Sequence, residues 1–249
     1  MNMPPSISII TVCRNSAHTL QDTMDSVLSQ KYKNYEYIII DGASADTTLS
    51  LLSDYEGRFD TRMRWISEPD SGIYDAMNKG LTMARGEVVG FLNADDYYAD
   101  DDVLLDVATA FAQDDTLDAV HGSLSYINSK RERVRYWKGT PYKQGAFQKG
   151  WMPAHPTFYC KRSCFERFGG FEPSIGSAAD FELMLRFVEK NGIKLRCLPR
   201  EFVYMRTGGS STCGLRAILR NTRQNISAFR RNIIPYPWHY PISRFLCKI

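Results

Sequence analysis

Over its first hundred residues the chain alternates between two hydrophobic periods. S-I-S-I-I-T-V (6–12), Y-E-Y-I-I-I-D (35–41), M-R-W-I (63–66) and V-V-G-F-L (88–92) are short runs rich in β-branched or aromatic residues. Between them Leu20, Met24, Val27 and Leu28, then Leu51, Leu52 and Tyr55, then Tyr74, Met77, Leu81 and Ala84 fall at helical spacing. A βαβαβαβ series predicts an α/β fold with a mostly parallel sheet flanked by helices on both faces. Ligands of such sheets bind beyond the carboxyl ends of the strands. Asp41 and the pair Asp95/Asp96 stand at such ends and are expected to face one crevice.

The fourth run drops into F-L-N-A-D-D-Y-Y-A-D-D-D, five aspartates within eight positions (95–102). Crowded carboxylates raise one another's pKa, so a fold keeps them only if they are solvated, paired with cations or bound to metal. Asp100, Asp101 and Asp102 precede V-L-L-D-V-A, and at least one is expected to cap that helix.

At 249 residues, 43% of them hydrophobic, the chain can bury a full core. It has no apolar run long enough to span a bilayer, and M-N-M-P-P lacks the features of a signal peptide, so a cytoplasmic location is expected. The six cysteines are scattered and read as reduced packing thiols. A net charge of +3 conceals an asymmetry: residues 1–201 hold 23 Lys and Arg against 28 Asp and Glu, whereas residues 202–249 hold 8 basic residues and no acid.

S-I-I-T-V-C-R-N, I-I-I-D-G-A-S-A-D-T-T, S-E-P-D-S-G-I-Y-D-A-M-N-K-G and F-L-N-A-D-D, in this order over residues 6–102, together resemble the nucleotide-binding half of the family 2 glycosyltransferases. These are inverting enzymes of the GT-A (Rossmann-like) fold, and the similarity is greatest to the bacterial branch that builds O-antigen and exopolysaccharide units. H-P-T-F-Y-C-K-R (155–162), F-G-G-F (168–171) and A-A-D-F-E-L-M-L-R (178–186) resemble the family's acceptor side. The resemblance implies a catalytic domain over residues 1–206, divided into a nucleotide-sugar half (1–102) and an acceptor half (103–206), followed by an extension over 207–249.

A nucleotide sugar loses a diphosphate whose oxygens a divalent cation can bridge, and carboxylates suit Mg²⁺ or Mn²⁺. The resemblance assigns Asp96 to the metal, Asp95 to the ribose or the metal shell, and Asp41 to the base N–H of uracil, with Thr11 and Arg14 lining the same pocket. A UDP-sugar donor follows. Asp70 and Lys79 are further candidates for nucleotide contact, against a helix cap and a solvated lysine. Inverting transfer also needs a base for the acceptor hydroxyl. Asp180 matches the family's base position, whose commoner form is Glu-Asp; Ala179 stands in place of that glutamate, and Glu182 is the weaker candidate. His155 is a candidate to complete the metal shell and Trp151 to stack on an acceptor sugar, each against an ordinary packing role. Two other readings stay open at this point. A nucleotidyltransferase shares the sheet and carboxylates but usually has a Gly-rich basic loop after its first strand, which T-V-C-R-N-S-A-H lacks. The other is a non-catalytic nucleotide-sugar-binding module.

In the tail, Leu215, Ile218, Leu219, Ile226, Phe229 and Ile233 fall on one helical stripe, with Arg216, Arg220, Arg223, Arg230 and Arg231 beside it. A basic amphipathic helix followed by P-Y-P-W-H-Y-P predicts peripheral attachment of 213–249 to anionic lipid at the inner face of the membrane, near a polyprenyl-diphosphate-linked saccharide acceptor. The competing expectation is a helix packed on the catalytic domain with its arginines in water. No nucleic-acid partner is expected.

Overall fold

The computed structural model describes residues 3–207 and 215–241. Strands β1 (Ile7–Cys13), β2 (Tyr35–Asp41), β3 (Met63–Ser67) and β4 (Val88–Phe91) are linked through helices α1 (Leu20–Leu28), α2 (Thr48–Glu56) and α3 (Ile73–Met83). The four strands pair in parallel in the order β3-β2-β1-β4. Successive side chains point to opposite faces. Ile7 and Ile9 of β1 and Tyr37 and Ile39 of β2 therefore join Leu20, Met24 and Leu52 of α1 and α2, while Ile10, Val12, Ile38 and Ile40 meet Ala76 and Met77 of α3. Burial on both faces explains the near-continuous apolar runs in the sequence.

The second half makes the sheet mixed. β8 (Tyr159–Lys161) adds antiparallel to β4, and β6 (Ala119–Ile127), β9 (Leu195–Arg206) and β5 (Asp96–Tyr98) continue the order as β3-β2-β1-β4-β8-β6-β9-β5. β7 (Arg133–Trp137) pairs with β6. Parallel pairing is thus concentrated in the N-terminal half, with β6 and β9 the parallel pair beyond it. The short β5, which begins at the second aspartate of the acid pair, is antiparallel to β9, with Asp96 opposite Met205. Helices α4 (Val103–Gln113), α5 (Arg162–Phe168), α6 (Ala179–Met184) and α7 (Leu215–Arg231) complete the layers.

The aspartates before α4 do not cap it as expected. Asp102 occupies the cap position, but its side chain makes no capping bond. The Leu104 N–H donates instead to Gln30 Oε1 at 3.0 Å, and the same amide donates from Nε2 to the Asp100 carbonyl at 2.7 Å. Two aspartates are spent on cations: Asp102 pairs with Lys31 at 2.8 Å, and Asp100 with Arg200, which also pairs with Asp106.

α7 departs further from expectation. It packs against α6, with Ala228 and Phe229 in the core that holds that helix, so the apolar stripe expected to meet lipid is partly covered by the protein itself. Phe229 meets Phe181 edge-on at 5.6 Å, and Tyr236 and Tyr240 of the proline-rich segment fold back onto it. Asn225 and Asn232 are buried too, so the covered face is rotated from the stripe that apolar residues alone define. Leu219, Ile233 and Trp238 stay outside, at 64%, 88% and 86% exposure, beside exposed Arg220, Arg223 and Arg230. The side chains of Leu215, Arg216 and Ile218, and residues 208–214 and 242–249, lie outside what the structure describes.

Candidate active site

A cleft of about 670 Å³ is lined by Arg14, Asn15, Asp70, Gly72, Asn93 and Asp95, among others. These residues follow the carboxyl ends of β1, β3 and β4, where the topology places ligands. The loop after β1 is tied to that after β2: the Asn15 N–H donates to Ser44 Oγ at 2.7 Å and its side-chain oxygen accepts from the Ala45 N–H at 2.8 Å. That bracing sets the position of Arg14. Asp70 Oδ1 accepts from the Gly72 N–H at 2.9 Å, so this aspartate both shapes the turn into α3 and lines the cleft. Gly72 has φ of 121°, a conformation that favours glycine. A Cβ on Gly42 would collide with the Asp70 carboxylate, which is how closely the two loops approach.

Three expected nucleotide contacts are not brought into this cleft. Thr11 is fully buried; its hydroxyl donates to the Leu92 carbonyl at 2.7 Å and accepts from Tyr37 at 3.0 Å, so it braces β1 from within the core. Lys79 is occupied by Glu68 and the Pro69 carbonyl, both at 2.7 Å. Asp41 is buried behind the cleft, accepting from the Ser44 N–H at 2.9 Å, from the Ser67 hydroxyl at 2.7 Å and from the Ser44 hydroxyl.

The acid pair is divided by its own turn. Asp95 lines the cleft, while the Asp96 side chain turns inward and is fully buried. Asp96 Oδ2 accepts from Asn93 Nδ2 at 2.7 Å, and Oδ1 has no hydrogen-bond partner among the described residues, the Arg206 backbone N–H only easing its charge. Burial pushes both carboxyls above the ordinary carboxylate range, and the Asp95 charge adds to the rise at Asp96. An orphaned, buried carboxylate oxygen beside a second carboxylate fits a divalent cation, which would offset both desolvation and repulsion. Among the described residues no group of three or more His, Cys, Asp and Glu side chains can hold a metal. The chain therefore offers two carboxylates at most here, and Asp95 rather than Asp96 is the one presented to the cleft.

Ile73, Asn93 and Met205 line both this cleft and a second cavity of about 230 Å³, which holds Asp180. Asp180 lies in the first turn of α6, which follows the 3₁₀ segment Pro173–Ala178. Its Oδ1 accepts from the Phe181 N–H at 2.7 Å. Tyr74 of α3 reaches the same place, donating to the Ser177 carbonyl at 3.2 Å; burial raises its hydroxyl pKa and the Asp180 charge raises it further. His155 lines this cavity with Asp180, not the cleft with Asp95. Its ring stacks on Phe91 at 5.5 Å, its Nε2 is unpartnered among the described residues, and burial lowers its pKa. This grouping does not support its expected place in a metal shell.

Glu182 and Trp151 have structural partners instead of site positions. Glu182 is buried, paired with Arg186 at 3.0 Å and bonded by Asn232 Nδ2 at 2.9 Å. Trp151 donates from Nε1 to Thr140 Oγ1 at 2.8 Å and packs on Tyr142 and Phe147; the tryptophan that lines the second cavity is Trp137.

Sequence reasoning passed over four residues. Asn93 lines both cavities and steadies Asp96; its place in N-A-D-D was the available signal. Arg206 donates to the Asp95 carbonyl from 111 residues away, with no local pattern to reveal it. Asn221 and Asn225 of α7 line the second cavity, although the helix was expected to serve a membrane.

The family model for glycosyl transferase family 2 matches residues 8–169. An uncharacterized glycosyltransferase of Mycobacterium tuberculosis is 32% identical over 205 residues, covering 81% of this chain and 76% of the relative. Among solved structures, a mannosyltransferase from Pyrobaculum calidifontis in complex with GDP-Man and Mn²⁺ superposes with a TM-score of 0.69 at 23% identity, over 98% of this chain and 69% of that one. S. aureus TarS 1–349 in complex with UDP gives 0.65 at 18%, over 90% of this chain and 65% of that chain; of a longer TarS chain the protein covers 37%. The fold is that of the GT-A enzymes, and the chain belongs to glycosyl transferase family 2.

Proposed function

We propose that this glycosyltransferase is inverting and metal-dependent, and that it moves a sugar from a nucleotide-sugar donor, UDP-linked in our reading, to a saccharide acceptor. The observation that carries the reading is the junction of the two cavities. An acid-lined cleft beyond the strand ends and a carboxylate-bearing cavity share Ile73, Asn93 and Met205, so a sugar at the junction has a leaving-group side and an attacking side.

In this reading the diphosphate lies beside Asp95, with Arg14 in the same cleft, and Asp41 exchanges one of its serine donors for the base N–H. Asp95, with Asp96 behind it, would hold Mn²⁺ or Mg²⁺, which supplies positive charge for the departing diphosphate. Asp180 takes the proton from an acceptor hydroxyl. The freed oxygen pair forms the new bond to the anomeric carbon as the bond to the diphosphate oxygen breaks, and the proton stays on Asp180. One displacement inverts the anomeric centre.

We further assign the exposed side of α7 to the membrane. Leu219, Ile233 and Trp238 stand beside Arg220, Arg223 and Arg230 in water, a combination suited to the interface of an anionic bilayer. Such attachment at the inner face of the membrane suits a polyprenyl-diphosphate-linked acceptor of surface-polysaccharide synthesis. Because α7 also packs on the domain, the test is reversal of Arg220, Arg223 and Arg230 to glutamate, not truncation. Co-sedimentation with anionic vesicles should fall with salt and disappear in the triple variant. Wild-type protein that ignores such vesicles at low salt sinks this part.

The activity is tested with UDP-, GDP- and dTDP-sugars, Mn²⁺ and lipid-linked saccharide acceptors. Acceptor-dependent release of nucleoside diphosphate is expected, with Asp180→Asn slowing transfer by roughly 10²–10⁴-fold while donor affinity stays near wild type. Pyrophosphate release would favour a nucleotidyltransferase, and binding without turnover a non-catalytic module.

A further inference from the structure

α7 does more in the fold than cover a core. Its inner face meets the segment that carries Asp180: the one Ser177 hydroxyl proton is shared between Asn221 Oδ1 at 2.8 Å and Gln224 Oε1 at 2.6 Å. One turn further on, Asn225 is fully buried yet lines the cavity that holds Asp180. Its Nδ2 donates to the Tyr240 hydroxyl at 2.8 Å, which fixes the amide, and its Oδ1 has no partner among the described residues. A buried, unpartnered carbonyl oxygen is costly to a folded protein. A helix that only needed to pack would be served better by an apolar residue at this position.

The chemistry of the wall narrows what satisfies that oxygen. Asn225 presents a fixed acceptor, and Asn221, its oxygen held by Ser177, presents amide N–H donors. Tyr126 and Trp137 supply ring surface on the same cavity. A polyol with hydroxyls at its edge and C–H groups on its faces complements this set; a lipid chain or an anion does not. We propose that α7 forms one wall of the acceptor subsite, and that Asn225 and Asn221 select the acceptor by bonding hydroxyls of a saccharide bound beside Asp180. The inference rests on the reading of Asp180 as the acceptor-side base. Asn225 and Asn221 act in specificity and not in bond making.

The test separates the two. Methyl glycosides of glucose, galactose, mannose, N-acetylglucosamine and rhamnose are titrated into the full chain with UDP and Mn²⁺, and binding is read by saturation-transfer NMR. At least one glycoside should bind wild type. Asn225→Leu should weaken it by about tenfold or more and Asn221→Ala by about threefold, while UDP affinity, read separately by calorimetry, holds within about twofold. Melting curves establish that each variant is folded; if Asn225→Leu is not, Asn221→Ala decides alone. Folded variants that bind the glycoside as wild type does overturn the proposal, and so does a wild-type protein that binds none of the five. A chain that binds no nucleotide or nucleotide sugar refutes the donor reading, while glycoside binding lost in the variants still upholds this one.

Discussion

Arg206 reaches Asp95 through the backbone: Nη1 donates to the Asp95 carbonyl oxygen at 2.9 Å, while Nη2 pairs with Asp22. The guanidinium lies over the Tyr97 ring, 5.3 Å from its centroid. The last residue of β9 thus fixes a cation beside the acid pair, its guanidinium bonding neither carboxylate. Burial raises both carboxyls, and the Arg206 charge opposes that rise.

Replacing that cation should move an acid limb. In Arg206→Gln the carboxyls of Asp95 and Asp96 rise further, so a larger fraction is protonated at a given pH and metal-dependent donor binding fails at higher pH than in wild type. Affinity at neutral pH should fall by roughly tenfold, the scale of one charge-assisted hydrogen bond. Calorimetric titration of UDP with Mn²⁺ across the acid range checks both; an unmoved limb means Arg206 is only a strut.

The two aspartates should separate by stability. Asp96 has its folded pKa raised, so the native state binds a proton more tightly than the unfolded chain, and stability falls as pH rises from the ordinary carboxylate range towards the raised value. Without metal at neutral pH, Asp96→Asn should therefore melt higher, by roughly 2–8 °C. It should also lose part of the stabilisation that Mn²⁺ and UDP confer. Asp95→Asn should change the metal-free melt less and remove most of the Mn²⁺ response. EDTA should bring wild type to the Asp95→Asn level. An Asp96→Asn protein with unaltered metal-free stability would show that its buried carboxyl is not a source of strain.

Glu182 offers a control for misassigned catalysis. Deleting it leaves Arg186 and the Asn232 amide without their carboxylate inside the protein, so Glu182→Ala should cost about 3–5 kcal/mol by urea unfolding. Turnover per folded molecule at low temperature should stay within about threefold of wild type, because the side chain reaches neither cavity. A stable protein with abolished transfer would restore Glu182 as a base.

His121 on β6 is buried, both ring nitrogens without a hydrogen-bond partner among the described residues, and burial lowers its pKa to about 4. Its folded pKa lies below the unfolded one, so its charged form is disfavoured by the fold. Stability should be intact above pH about 6.5 and fall as pH drops towards about 4, by at most about 3 kcal/mol. His121→Phe should flatten that slope in acid unfolding curves, and an unchanged slope would assign it to other groups.

The local signals explain what could be read in advance. The strands β1 to β4 are legible because both faces are buried, and the cleft because Arg14, Asp70 and Asp95 follow strand ends. Lys79, Thr11 and Trp151 misled because a side chain's direction depends on partners, Glu68, Tyr37 and Thr140, which no local pattern identifies. Gln30 capping α4 and Arg206 bracing Asp95 span 74 and 111 residues. The stripe on α7 was misplaced for a different reason: Asn225 and Asn232 are buried with their Nδ2 groups on Tyr240 and Glu182, so polarity hid the packed face.

The pairing of β5 with β9 also bears on how the protein is made. Strands β1 to β4 can pair as soon as residue 91 has emerged, but Asp96 faces Met205 across the sheet and gains that neighbour only after about a hundred further residues. At roughly 5–20 residues per second, the ribosome takes roughly 5–20 s over that interval. The nascent chain can therefore hold a parallel-stranded half long before its acid motif is fixed, and the amides of Asn221 and Asn225 arrive later still. The two cavities mature in order, and a stalled chain carries an unfinished cleft.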